Sequence, residues 1–152
     1  MSTNLFTLDT NILIYSIDRD AGIKHEMASF ILEKSMNGRC LLTSQALGEF
    51  YCAATRKGYV SQNTAIEIIE DFMEIFPIIS STGATLKKAL STLSKYGLQF
   101  WDAILWATAK ESKCSLIITE DFQDGRSIEG VQFINPFKED KLSYVIETYL
   151  DL

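Results

Sequence analysis

Leu5-Phe6-Thr7-Leu8-Asp9-Thr10-Asn11 is the stretch on which the fold reading turns. Four mostly apolar residues are too few for a stable helix, and Asp-Thr-Asn then breaks the run with side chains that favour turns and helix caps. A short strand without a polar face must be covered on both faces, as parallel strands in α/β proteins are. Similar runs recur at Cys40-Leu41-Leu42-Thr43, Ile78-Ile79, Ser115-Leu116-Ile117-Ile118-Thr119 and Val131-Gln132-Phe133-Ile134. Helical patterns lie between them. Asn11 to Ile17 reads as a short helix, and Ile23 to Met36 as a longer one with Met27, Phe30 and Ile31 apolar and Gly38 as a stop. Ser44 is placed to cap a helix that Gly58 closes, and Ser61 to cap another that Pro77 ends, with Ala65, Ile68, Ile69, Phe72, Met73 and Phe76 on one stripe. Further helices are expected from Thr82 to Tyr96, from Trp101 to Lys113 and from Lys141 to Leu150. Strands alternating with helices imply an α/β protein, a three-layer α/β/α sandwich around a central, mainly parallel sheet.

With 152 residues the chain is sized for one domain, taken here as 1–152. Its apolar runs fall well short of the roughly 20 residues that cross a bilayer, so no membrane partner is expected. The start, Met1-Ser2-Thr3-Asn4, lacks the basic and apolar segments of a secretory signal. Cys40, Cys52 and Cys114 are far apart and odd in number, which reads as small buried hydrophobes in a reducing compartment. A cytoplasmic protein is expected. One histidine, His25, rules out a site built from several. The net charge of −6 argues against an unassisted nucleic-acid binder, because counterion release needs clustered Lys and Arg. It is compatible with an acidic pocket whose bound cations supply the positive charge.

Open parallel sheets bind ligands at the carboxyl ends of their strands. Asp9 directly follows the first strand, and Asp121 lies just past the strongest one. Glu49 is on the helix entered from the second strand, and Asp102 is in the first turn of the helix near Trp101. Carboxylates in such apolar surroundings are costly unless paired or metal-bound. Hard divalent cations prefer carboxylate oxygens, so metal-assisted hydrolysis is the natural reaction class. Each residue also has an ordinary reading: Asp9 as a helix cap, Asp102 as a helix N-terminal acid, Glu49 as a solvated side chain, Asp121 as the start of a turn through Asp124-Gly125. Their joint fall at one sheet edge favours the site. His25, Arg56-Lys57, Lys87-Lys88, Lys110 and Lys113 read as solvated faces, and Phe72, Phe76, Trp101 and Trp106 as core.

The arrangement resembles the PIN-domain nucleases, and particularly the VapC-like toxins of bacterial toxin–antitoxin pairs. Leu8-Asp9-Thr10-Asn11-Ile12-Leu13-Ile14-Tyr15 is similar to the family's first motif, Ser44-Gln45-Ala46-Leu47-Gly48-Glu49-Phe50 to its second, Phe100-Trp101-Asp102-Ala103-Ile104-Leu105-Trp106-Ala107 to its third, and Thr119-Glu120-Asp121-Phe122 to its fourth. The resemblance implies a PIN-like fold, dependence on Mg²⁺ or Mn²⁺, and endonucleolytic cleavage of RNA. It implies that Asp9, Glu49 and Asp102 are the principal metal ligands, with Asp121 supporting a second metal. Asn11 would orient Asp9 or a metal-bound water, and Thr119 would hold the strand end. Glu120 and Asp124 are close enough to stand in for Asp121. The toxin reading further implies a homodimer and a cognate antitoxin, often with a basic side chain inserted into the site. Two alternatives stand beside it: a non-catalytic module that binds RNA or protein, and an RNA-processing nuclease that is not a toxin. A phosphatase using Asp9 as nucleophile is disfavoured, because Asp9-Thr10-Asn11 lacks a second aspartate two positions on.

Overall fold

The computed structural model describes residues 4–122, 124–138 and 141–150. Six strands form one sheet in the order β3-β2-β1-β4-β6-β5, comprising β1 (Leu5–Leu8), β2 (Cys40–Thr43), β3 (Ile78–Ile79), β4 (Cys114–Ile118), β5 (Ser127–Ile128) and β6 (Val131–Ile134). All neighbours are parallel except β5 and β6. The helices are α1 (Thr10–Tyr15), α2 (Ile23–Lys34), α3 (Ser44–Arg56), α4 (Gln62–Ile75), α5 (Gly83–Tyr96), α6 (Phe100–Glu111) and α7 (Lys141–Val145). The fold is α/β with a mainly parallel sheet flanked by helices, as the strand and helix alternation predicts.

Alternation along the strands divides the interior in two. Phe6, Leu8, Leu42, Leu116, Ile118 and Ile134 face a core shared with α1 to α4 and the C-terminal segment. Leu5, Leu41, Ile117, Val131 and Phe133 face a second core built on α5 and α6. Trp106 is the anchor of that second core: it is fully buried, and its indole Nε1 donates to the Ile128 carbonyl at 3.1 Å.

Local chemistry sets the element ends. Thr43, one residue before the expected Ser44, caps α3 by accepting from the Ala46 amide at 3.0 Å. The strand ends extended, so its last residue already has the backbone conformation a cap requires. Thr82 and Thr85 form a capping box on α5, and Gly97 ends that helix in the left-handed conformation. The tail differs from the single helix expected over 141–150. α7 passes at Ile146 into a wider π-type turn to Leu150, and the wider turn brings both Tyr149 and Leu150 inside.

Three further expectations are corrected by burial. Cys40 and Cys114 are buried, but Cys52 lies on the exposed side of α3. Phe30 and Met73 are exposed, because the inward faces of α2 and α4 are filled by Ala28, Ile31, Ala65 and Phe72. Trp101 is 64% exposed rather than core, and lines a recess with Gln45 and Glu49. Lys88 and Lys110 are not merely solvated: Lys88 pairs with Glu129 at 3.2 Å, and Lys110 donates to the Glu129 carbonyl at 2.8 Å. Among the described residues no helix is long and apolar enough to cross a membrane.

Trp106→Phe removes the only indole donor to the Ile128 carbonyl and leaves a void beside it. It should lower stability by about 2–4 kcal/mol, read as a fall in the urea midpoint at unchanged slope.

Candidate active site

The chain runs from β1 to β2 and β3 on one side, then returns to lay β4 on the other side of β1. The carboxyl ends of β1 and β4 therefore flank a topological switch point, where an open parallel sheet leaves a crevice. Asp9 sits at this point. Its backbone amide donates to the Ile118 carbonyl at 2.9 Å, continuing the β1–β4 ladder by one step. Its side chain then does two jobs: Oδ1 accepts from the Thr10 amide at 2.8 Å, capping α1, and Oδ2 accepts from the Thr119 hydroxyl at 2.7 Å. The cap reading of Asp9 is borne out, and the same residue lies at the strand end where the site is expected.

Thr119 is fully buried and organises the β4 end. Its Oγ1 accepts from the Asp121 amide at 3.1 Å and from Asn11 Nδ2 at 3.3 Å. Asn11 reaches across from α1, donating also to Asp121 Oδ2 at 3.1 Å, while its Oδ1 accepts from the Glu120 amide at 3.3 Å. One amide side chain thus clamps three successive residues of the loop. Asn11 holds Asp121 and Thr119 directly, and acts on Asp9 only through Thr119.

The other two acids arrive on helices. α3 leaves β2 at the carboxyl edge and carries Glu49, exposed, with Oε1 accepting from Gln45 Nε2 at 2.8 Å. α6 leads into the parallel strand β4, so its N-terminus must lie at that same edge, and Asp102 is in its first turn. The fields of the acids overlap. Burial first, then repulsion from Asp121 and Glu49, raises Asp9 to about 6, against the hydrogen bonds from Thr119 and Thr10. Asp102 is raised by burial and by the same two carboxylates. Among the described residues no three His, Cys, Asp or Glu side chains are drawn together tightly enough to enclose an ion directly. The donor set nonetheless suits a hard divalent cation. All four groups are carboxylates, Asp121 and Glu49 both bear on Asp9 and on Asp102, and Mg²⁺ retains several waters, so few direct ligands are needed.

Glu120 and Asp124 are turned elsewhere. Glu120 accepts from the Tyr15 hydroxyl at 2.6 Å and pairs with Lys24. Those bonds outweigh its burial and hold it below the usual carboxylate range. Asp124 Oδ1 accepts from the Asn135 amide at 2.9 Å, with Lys141 3.6 Å from its other oxygen. His25 Nδ1 lies 2.9 Å from the Tyr15 carbonyl, away from the acids.

Three recesses open around the centre. Asp102 and Asp121 share one of about 360 Å³ with Leu98 and Arg126. Glu49 and Asp121 share one of about 350 Å³ with Asn11, Lys57 and Tyr59. Glu49 and Gln45 line a smaller one against Trp101. A wider recess, about 790 Å³, lies to one side among Asp18, His25 and Tyr59 and contains none of the four acids. Lys57, expected on a solvated face, and Arg126, just after Asp124-Gly125, were not legible as site residues because only the fold brings them beside the acids.

The PIN domain family matches residues 6–123, most of the chain. The chain belongs to the PIN domain family. Among solved structures this PIN domain is similar to a toxin–antitoxin complex from Klebsiella pneumoniae, 23% identical over 87% of this chain and 98% of that one, with a TM-score of 0.65. It is also similar to the Mycobacterium tuberculosis toxin VapC20, described as cleaving the sarcin–ricin loop, at 16% identity, TM-score 0.62, over 76% of this chain and 89% of that one. VapBC-1 from nontypeable Haemophilus influenzae is 19% identical, with a TM-score of 0.61, over 88% and 99% of the respective chains. No curated protein matches the sequence.

The raised Asp9 carboxyl has a stability consequence with a definite sign. A carboxyl raised from 3.8 to about 6 contributes fully below pH 3.8, and that contribution is lost as pH rises through about 6. The shift corresponds to about 3 kcal/mol. Asp9→Asn keeps an acceptor for Thr10 and removes the charge, so in metal-free buffer it should melt higher than the parent at pH 8 and match it near pH 4. Thermal unfolding of both proteins across that range reads the effect, and parallel curves would contradict it.

Proposed function

We propose that this PIN domain is a metal-dependent endoribonuclease, with residues 1–152 acting as one unit, and that it is the toxin of a toxin–antitoxin pair acting in the cytoplasm. The observation that carries the reading is the convergence of carboxylates from four separate elements at one sheet edge, around the switch point between β1 and β4, with desolvation raising the half-buried Asp9. Such a centre is unfavourable by itself and becomes favourable around a divalent cation. Asp9, Glu49 and Asp102 would hold Mg²⁺ or Mn²⁺, with Asp121 supporting a second ion. The bound metal would supply an activated water and positive charge at the scissile phosphate.

The chain's own residues do the positioning. Thr119 fixes Asp9 by donating its hydroxyl proton, and Asn11 fixes Asp121. Tyr15 and Lys24 draw Glu120 aside, so the loop presents Asp121 and not its neighbour. The toxin assignment is supported by the likeness to toxin and toxin–antitoxin structures. An antitoxin carrying a basic segment is the expected partner, because a cation inserted among the acids offsets the same repulsion that a metal does. A homodimer is expected from the apolar side chains left in solvent along α5 and the start of α6, Leu86, Leu90, Phe100 and Trp101.

Purified protein should cut RNA in Mg²⁺ or Mn²⁺ and stop in EDTA. Asp9→Asn and Asp102→Asn should each lower the rate by about a hundredfold or more, since a divalent ion contributes several kcal/mol to the developing charge. Cutting by either variant at the parent rate would sink the assignment.

A further inference from the structure

The net charge of −6 poses a problem for any RNA-cutting centre made of acids: the strand must be held against repulsion on both sides of the scissile bond. The basic side chains differ in a way that answers it. Lys24, Lys88 and Lys141 are each committed to an ion pair with Glu120, Glu129 and Asp124. Lys57 and Arg126 make no ion pair among the described residues, yet each lines a recess with two of the four acids. Arg126 shares its recess with Asp102 and Asp121, and Lys57 shares its own with Glu49 and Asp121. Asp121 belongs to both, so the two recesses adjoin there, with Arg126 lining one and Lys57 the other.

Each cation is presented, not merely nearby. Arg126 Nη2 donates to the Tyr96 carbonyl at 2.6 Å, which anchors one corner of the guanidinium and leaves its other donors available. A planar fork fixed in this way suits two phosphate oxygens at once. Lys57 ends α3 as its C-cap residue, exposed, with Tyr59 two residues on in the same groove. The groove continues beyond Lys57, because Asp18 and Tyr59 also line the 790 Å³ recess. Tyr59 supplies a ring face at that junction, and base-on-aromatic stacking tolerates any sequence.

Building on the nuclease reading, we propose that a single RNA strand crosses the acidic centre from the Arg126 recess to the Lys57 groove. One flanking phosphate lies on each cation, and a base beyond Lys57 stacks on Tyr59. The two cations set which phosphodiester lies over the acids, and the wide recess past Tyr59 receives the strand as it leaves.

The test is binding of a fluorescein-labelled, mixed-sequence single-stranded RNA in Mg²⁺, followed by anisotropy across a salt series. The background is Asp9→Asn, which keeps the RNA intact and lines neither recess. Losing one phosphate contact on a single strand flattens the slope of log affinity against log salt by about 0.7. Lys57→Gln and Arg126→Gln should each do so and weaken binding severalfold, their combination should lose both increments, and Tyr59→Ala should weaken binding without changing the slope. Lys34→Gln, at the far end of α2, should change neither. Arg126→Lys should restore the slope; if it behaves like Arg126→Gln, that residue acts through Tyr96 and its half of the track is overturned. Unchanged slopes for both glutamine variants overturn the track while leaving the nuclease reading intact, provided the parent cuts the same RNA. Altered slopes without any cutting by the parent would keep the track and remove the nuclease.

Discussion

The hydrogen bond from the Thr119 hydroxyl to Asp9 is the contact on which the rest of the centre depends. It joins the ends of the two strands that meet at the switch point, and it is made one residue beyond the last backbone step between them. A hydroxyl has one proton to give. Because Thr119 gives it to Asp9, its oxygen is left to accept from Asn11 and from the Asp121 amide, and the whole loop is ordered from one atom. Thr119 lies in a fully buried position, so these bonds are made with little competition from water.

That order is obtained at the expense of stability. The fold half-buries Asp9 within the field of Asp121 and Glu49, and desolvation raises it more than the hydrogen bonds from Thr119 and Thr10 lower it. Glu120, one residue from Asp121, shows the contrast: it has a lysine, a tyrosine hydroxyl and a lowered pKa. Two carboxylates on one loop are therefore treated in opposite ways: Glu120 is neutralised by Lys24, while Asp121 accepts from Asn11 and faces the recesses that hold the other acids. Perturbed carboxyls of this kind cluster at functional sites, and the proposed reading of the acids rests on that contrast.

Much of this was legible in the sequence because its signals are local. Apolar runs of four or five residues ended by Asp9-Thr10-Asn11 or by Thr119 mark β1 and β4, and Gly97 after a helical pattern marks the end of α5. The acids could be placed at one edge because a parallel sheet puts every strand end there. What was missed depends on distant parts of the chain. β5 has only two residues, and its turn through Glu129 and Gly130 needs positive φ at both, a feature that Asn-Gly would have announced and Glu-Gly does not. Trp101 sits in an apolar stretch whose pattern does not separate it from the fully buried Trp106 five positions on. Lys57 and Arg126 have no local pattern at all, since their meaning comes from acids contributed by other elements.

The pairing of β1 with β4 also imposes an order in time. Asp9 and the hydroxyl that holds it are separated by 110 positions, so a ribosome makes the first long before the second. Until β4 has emerged and docked, Asp9 has neither Thr119 nor the clamp that Asn11 closes on Asp121, and the crevice has only one wall. Chains synthesised from the N-terminus fold as their partners appear. The centre is consequently among the last parts of the described fold to come into being, and a partly made chain carries acids without an assembled site.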